Sequence, residues 1–393
     1  MRKLVTAASL AALVLAPACA TVQPQVNLPT AETEALRVET VAQQSAALER
    51  LREHHQRVAT MGYRLARENA ELCPKRGPLR DFTVFQTTQL PRELRAAARS
   101  YYGVGNEVSV FTVVEGSAAA RAGLKPGQRI LSMNGERLRP RGDARADSRW
   151  TSSEEVERVR DRMERMFDRG AVKLLVADAA GEREITIQPE PGCDYEVLLF
   201  QSDDVNAAAD GEKVALTTGM ARYAQNDEEL ALVLGHEMAH NAMRHKERLA
   251  ASTRLARVGG LLGSILIGAA TGVSVDLYSL AARGNKQTRL TLEREADYVG
   301  MYFAARAGYD VSKALSFWRR LGADYPTSTY TRFSHPGSPE RALNIGATAE
   351  EIASKRTSQL ALKPTPAKLQ QLEKATTQAV AQEDKAPAAQ TAR

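Results

Sequence analysis

His236, Glu237 and His240 are the residues of this 393-residue chain best suited to chemistry, and they fall within the run EELALVLGHEMAHNAMRH. At helical pitch, positions four apart share one face, about 40° apart around the axis. Two imidazoles so placed can grip one divalent metal. Glu237, next to the first, can then act as general base toward a water that the metal activates. Leu230, Leu232, Val233, Leu234 and Met238 make this helix a buried one. A buried carboxylate beside two imidazoles needs a partner, and zinc supplies it.

A His-Glu-x-x-His run alone arises by chance in many chains. A second run, TLEREADYVG, places Glu293 and Asp297 one helical turn apart. Catalytic zinc takes three protein ligands and keeps one position open. Glu293 is the expected third ligand, giving one Zn²⁺ per chain on His236, His240 and Glu293. Asp297 is expected to accept the free ring N–H of one ligand histidine and fix its tautomer. The alternative is a solvated charged face made by Glu293, Arg294, Glu295 and Asp297. His245 would lie about 180° around a continuous helix from His236, which points to a cap or surface role. His54 and His55 sit in a charged amphipathic stretch and read as solvated.

The runs NDEELALVLGHEMAHNAMRH, EREADYVGMYFAARAGYD and SHPGSPER, in that order, resemble the membrane-associated zinc metallopeptidases of the CAAX prenyl protease type. That family includes bacterial periplasmic quality-control proteases and mitochondrial relatives. The likeness implies a gluzincin fold with Glu293 on the metal. It also implies a His and an Arg, here His335 and Arg341, that help stabilise the tetrahedral intermediate or gate the site. The stretch DVNAAADGEKVALTTGM resembles the family's Asn-Ala plus edge strand. By that likeness Lys213–Thr217 would pair with substrate backbone, and Asn206 would contact the scissile carbonyl.

Ahead of this lies a second module. VSVFTVVEGSAAARAGLKPGQRILSMNGERL alternates strands with a short helix and Gly-bearing turns. It closely resembles a PDZ domain, with Ser152–Phe167 as peptide-groove helix and VKLLVA and REITIQ as last strands. Tyr102-Gly103-Val104-Gly105 is placed like the carboxylate-binding loop but departs from the usual Gly-Leu-Gly-Phe. The functional reading is a module that adds a peptide as a strand; the alternative is a structural or autoregulatory insert.

The chain opens MRKLVTAASLAALVLAPACA: a basic start, an apolar stretch and small residues, the pattern of a secretory signal. Two cleavage patterns overlap. Ala16-Pro17-Ala18 fits an A-x-A site, and Cys19 resembles a lipobox cysteine that would anchor the chain in the outer membrane, facing the periplasm. Cys73 and Cys193 can pair in an oxidising compartment, leaving Cys19 as the odd one. Val258–Val275 is uncharged but carries five glycines. It reads as a buried or lid helix, or a shallow membrane contact, rather than a span.

A net charge of +6 and 5% aromatics argue against a nucleic-acid partner. The division expected is a signal (1–20), an amphipathic helical segment (21–79) running from Thr30 or Glu32 to Leu72, a PDZ-like domain (80–192), a metallopeptidase domain (193–362) and a mobile Ala/Gln/Lys-rich tail (363–393). The fold class is α+β: a mostly helical gluzincin-type domain with a small edge sheet, plus a β-rich PDZ domain. The function expected is zinc-dependent cleavage of misfolded or unassembled envelope polypeptides. The rival is a periplasmic chaperone or scaffold with little proteolysis. Nothing in the sequence specifies an oligomeric state.

Overall fold

The structure, a computed structural model, describes residues 33–138, 152–252, 286–325 and 339–383. The signal, Cys19, the loop at 139–151, Val258–Val275 and His335 lie outside the described residues. The chain divides into two compact units, 1–42 and 43–393. The described part of the first is the start of helix α1 (Thr33–Glu68), with Leu36, Val38 and Val41 exposed. All that follows concerns the second unit.

There α1 buries Leu48, Val58, Met61, Leu65 and Ala66. It stops short of the expected Leu72 because Asn69, fully buried, turns its amide onto the carbonyls of Leu65 (2.9 Å) and Phe303 (3.0 Å). Such a bond satisfies a carbonyl that the helix end leaves without a partner. His55 on this helix is not solvated as its charged neighbours suggest. It is half-buried, its ring edge-on to Phe111 at 5.0 Å, and His54 beside it is half-buried too.

Strand β1 (Arg76–Pro78) leads into the PDZ-like module. Its elements are β2 (Phe82–Phe85), α2 (Arg92–Tyr102), β3 (Ser109–Val113), α3 (Ala118–Arg121), β4 (Arg129–Met133), β5 (Glu136–Arg137), α4 (Glu154–Phe167), β6 (Val172–Asp178) and β7 (Gly181–Ile187). The sheet runs β2-β3-β4-β6-β7, all antiparallel, with β5 on β4. Val156, Val159 and Met163 recur at helical spacing on α4 and pack into the same core as Val110, Ile130, Leu174 and Val176 of the sheet. Strand β8 (Pro191–Cys193) returns to pair with β1, and the Cys73–Cys193 disulfide closes the module's base across 120 residues.

The second module starts with β9 (Glu196–Phe200), β10 (Ala207–Ala209) and β11 (Lys213–Thr217). The helices follow: α5 (Thr218–Tyr223), α6 (Asp227–Ala242), α7 (His245–Ser252), α8 (Lys286–Arg306), α9 (Ala314–Asp324), α10 (Pro339–Thr357) and α11 (Pro366–Glu383). Together they make the α+β class expected. Helices α6 and α8 form its centre, with Tyr302, Phe303, Phe317, Ile345 and Ile352 buried around them. No helix among the described residues is long and apolar enough to cross a membrane.

Two expectations change here. Lys213–Thr217 is not an edge strand: β11 is the centre of the order β10-β11-β9, antiparallel to one neighbour and parallel to the other. Its backbone pairs on both sides, so it has none left for a substrate. The stretch expected to be mobile from 363 onward contains α11, which packs on α8 through Leu369 and Leu372. Lys363 is tied to Glu71 at 2.6 Å, and Arg306 donates to the carbonyl of Leu362.

Candidate metal centre

Helix α6 begins at an N-cap of its own making. Asn226 accepts from the Glu229 backbone N–H, while the Glu229 carboxylate accepts from the Gln225 N–H and from Arg320 at 2.6 and 2.9 Å. At the other end, Asn241 accepts from Gly211 N–H and donates to Lys213 O, tying the helix to the β10–β11 hairpin. The helix between them is buried nearly throughout.

His236 and His240 stand on one face of it, their Nε2 atoms 3.1 Å apart. Glu293 of α8 lies opposite, one carboxylate oxygen 3.4 Å from His236 Nε2 and the other 3.5 Å from His240 Nε2. One donor atom from each lies within 4.8 Å of the others. All three residues are at least 95% buried. Two imidazole nitrogens and one carboxylate, convergent and buried, are a donor set that fits catalytic zinc. Glu237 is buried one residue along on the same helix.

What turns the Nε2 atoms inward is what holds the other ring nitrogens. His236 Nδ1 is 2.9 Å from Asp297, whose carboxylate accepts from Arg341 at 2.6 and 2.7 Å. Arg341 also approaches Glu293 (3.2 Å), and its guanidinium lies 4.0 Å over the Trp318 ring. Burial disfavours the charge on Asp297, but Arg341 and His236 outweigh it and hold the carboxyl below its usual range. Burial likewise opposes charge on His236, yet Asp297 and Glu293 raise it to about 9, so a metal must displace a proton to bind.

His245 is neither a cap nor a surface residue. The chain leaves α6 after Ala242, Arg244 takes a left-handed conformation (φ 54°), and α7 starts afresh. Extrapolating one continuous helix therefore fails. His245 folds back fully buried, with Nδ1 2.8 Å from His240 Nδ1. Asn206 stands half-buried just before β10, its backbone bound to Thr217. His335 lies outside the described residues.

Sequence reasoning missed two glycines. A Cβ on Gly235 would come 2.6 Å from Gly300 O, and one on Gly300 would come 2.7 Å from the backbone of His236. Only glycine at both positions lets α6 and α8 approach closely enough to bring Glu293 to the histidine pair. The glycine in each motif run was the available signal.

These residues fall in a segment with known relatives. Residues 168–349 match the sequence model of Peptidase family M48. Residues 110–153 match that of the PDZ domain. The chain is 31% identical over 157 residues to the putative beta-barrel assembly-enhancing protease of Vibrio cholerae, covering 38% of this chain and 32% of that protein. To the beta-barrel assembly-enhancing protease of Yersinia pestis it is 33% identical over 182 residues, covering 44% and 36%. To the mitochondrial metalloendopeptidase OMA1 of Arabidopsis thaliana it is 29% identical over 133 residues, covering 33% and 26%. The chain thus spans between 26% and 36% of the length of these curated relatives. The family description that matches is M48; it does not carry the CAAX prenyl protease name.

In the PDZ-like module, the strand beside α4 is β2, an edge strand. A cavity of about 170 Å³ lies among β2, α4, α1 and β9, lined by Phe82, Val84, Val156, Met163 and Leu199. Arg160 of α4 is bonded to Glu196 of β9 (2.9 Å), so the groove is roofed by the neighbouring module. Tyr102-Gly103-Val104-Gly105 does not line it. That segment follows α2, with Gly103 as its left-handed C-cap and Val104 buried, and so lies between β2 and β3 rather than ahead of the groove strand.

Proposed function

We propose that this protein is a zinc-dependent endopeptidase of the bacterial cell envelope that degrades misfolded or unassembled envelope polypeptides. One observation carries the reading: His236 Nε2, His240 Nε2 and the Glu293 carboxylate converge, with Glu237 adjacent on the same buried helix. Support for the setting comes from the secretory-type start with Cys19, the Cys73–Cys193 disulfide, and relatives named for enhancing β-barrel assembly. Lipid on Cys19 would hold the protein to the outer membrane from the periplasmic side.

The residues divide the work. His236, His240 and Glu293 would hold the metal. Bound zinc would supply a Lewis acid for the scissile carbonyl and bring the pKa of a water to about 7. Glu237 takes the proton of the attacking water and hands it to the leaving amine. Arg341 acts through Asp297, which it grips with two bonds, and so keeps His236 turned to the metal. Substrate backbone would pair with β10, the sheet's edge on the α6 side, once the cover that leaves Ala207–Ala209 buried moves aside. The bonds Thr217 N–H to Asn206 O and Asp210 N–H to Lys213 O place the residues between them in alternation, so the polar groups of Ala207 and Ala209 face away from β11. An extended peptide added there would run beside α6, with Asn206 at one end of it. The PDZ-like groove at β2 and α4, roofed by β9 through Arg160 and Glu196, would regulate the first, or take a second peptide segment once that roof is released.

Digestion of casein by the full chain tests this, with and without a zinc chelator and alongside Glu237→Gln. We expect cleavage that the chelator abolishes, and a loss of at least ~100-fold in Glu237→Gln with zinc retained. Suppression of aggregation that survives Glu237→Gln, while the unaltered protein cuts nothing, would favour the scaffold reading.

A further inference from the structure

Behind the second histidine ligand stands a group of buried charged and titratable side chains that the proposed reaction does not use. His245 and Glu295 are both fully buried, and Arg248 is about three-quarters buried. They come from two elements, α7 and α8. His240 Nδ1 meets His245 Nδ1 at 2.8 Å with the rings nearly perpendicular. His245 Nε2 faces one Glu295 oxygen at 3.5 Å, an ion-pair rather than a hydrogen-bond contact, and Arg248 donates to the other oxygen at 2.8 Å. A second Arg248 nitrogen reaches the Glu373 carbonyl of α11 at 3.4 Å.

We infer that His245, oriented by Glu295 and Arg248, is a positioning residue that fixes the tautomer and ring angle of His240 for metal binding. This rests on the metallopeptidase reading above. For His240 Nε2 to offer a lone pair toward His236 and Glu293, its proton must sit on Nδ1. The atom facing Nδ1 must therefore accept, and it is His245 Nδ1. His245 then carries its own proton on Nε2, the side of the Glu295 carboxylate, and Arg248 balances that carboxylate's charge. Each member sets the proton of the next. The pattern mirrors the other ligand, where Asp297 holds His236 and Arg341 holds Asp297. Glu293, Glu295 and Asp297 thus divide three tasks along one helix: metal, support for His240, support for His236. Burying Glu295 with Arg248 for packing alone would cost desolvation that apolar residues of the same volume avoid.

Zinc affinity of the full chain, measured by competition with a chromophoric chelator, tests the inference. His245→Phe keeps a ring and removes the acceptor; His245→Asn puts an amide oxygen near the place of Nδ1. The expected result is a zinc dissociation constant raised ~10–100-fold in His245→Phe and within ~3-fold of the unaltered protein in His245→Asn. The visible spectrum of the cobalt-substituted protein should change in His245→Phe and not in His245→Asn. Equal affinity in His245→Phe overturns the inference, because space-filling would then suffice; equal weakness in both variants overturns it too, because an acceptor beside Nδ1 would then fail to restore His240. Should His245→Phe not fold, Glu295→Gln serves: a several-fold weakening is expected, and unchanged affinity overturns it. Failure of the unaltered protein to bind zinc would instead remove the metallopeptidase reading, and this inference with it.

Discussion

Gly235 on α6 and Gly300 on α8 face each other so closely that a methyl group on either would strike the other helix's backbone, at 2.6 and 2.7 Å. The contact lies next to His236 and one turn beyond Asp297. The spacing of the metal ligands is thus set by two residues with no chemistry of their own.

Gly300→Ala should therefore act on the site through the backbone. Overpacking of this kind costs about 1–3 kcal/mol, and backbone cannot swing aside as a side chain can. We expect a lower melting temperature together with loss of zinc binding, read by calorimetry and metal analysis of the same preparation. A Gly300→Ala protein with unchanged zinc content would show that the helix spacing tolerates the methyl.

Asp297→Asn keeps the shape beside His236 but removes the charge that faces both His236 and Arg341. Arg341 would remain 97% buried, 3.2 Å from Glu293 but without the two bonds it makes to Asp297. Zinc affinity should fall ~10–100-fold. The fold should lose stability as well, because breaking one side of a buried pair leaves the other charge uncompensated. Titration with a competing chelator and urea denaturation at neutral pH check the two effects. Unchanged values in both would contradict the assigned role.

How much of this was legible depends on sequence distance. His236, His240, Glu293 and Asp297 were readable because each pair sits one turn apart on one helix, where spacing alone fixes the shared face. The Cys73–Cys193 pair and the strand–turn rhythm of the PDZ-like module were readable from residue type. Failures came where a non-local partner decides. Lys213–Thr217 became an interior strand because β9 pairs with it in parallel, which no local pattern announces. His245 was misplaced because Arg244, not a glycine, takes the left-handed turn. The C-terminal stretch looked mobile by composition, yet Leu369 and Leu372 pack against the core and α11 lies on α8.

Acid should destabilise the fold through α1. Burial, and next the neighbouring His54, push His55 down to about 4, whereas the unfolded chain titrates near ~6.5. Between those values the unfolded state binds a proton that the folded state does not, so stability rises with pH across that window. The contribution is complete above ~6.5 and lost as pH falls to about 4, with a slope of at most ~1.4 kcal/mol per pH unit. His55→Gln should flatten the pH dependence of the urea midpoint there. Identical slopes in both proteins would refute the assignment.

The metal content of the purified full chain tests the central claim most directly, measured by elemental analysis beside Glu293→Ala. The account predicts close to one zinc per unaltered chain and little in the variant, with both proteins folded. No stoichiometric transition metal in the unaltered protein, or the same content after Glu293→Ala, would contradict it.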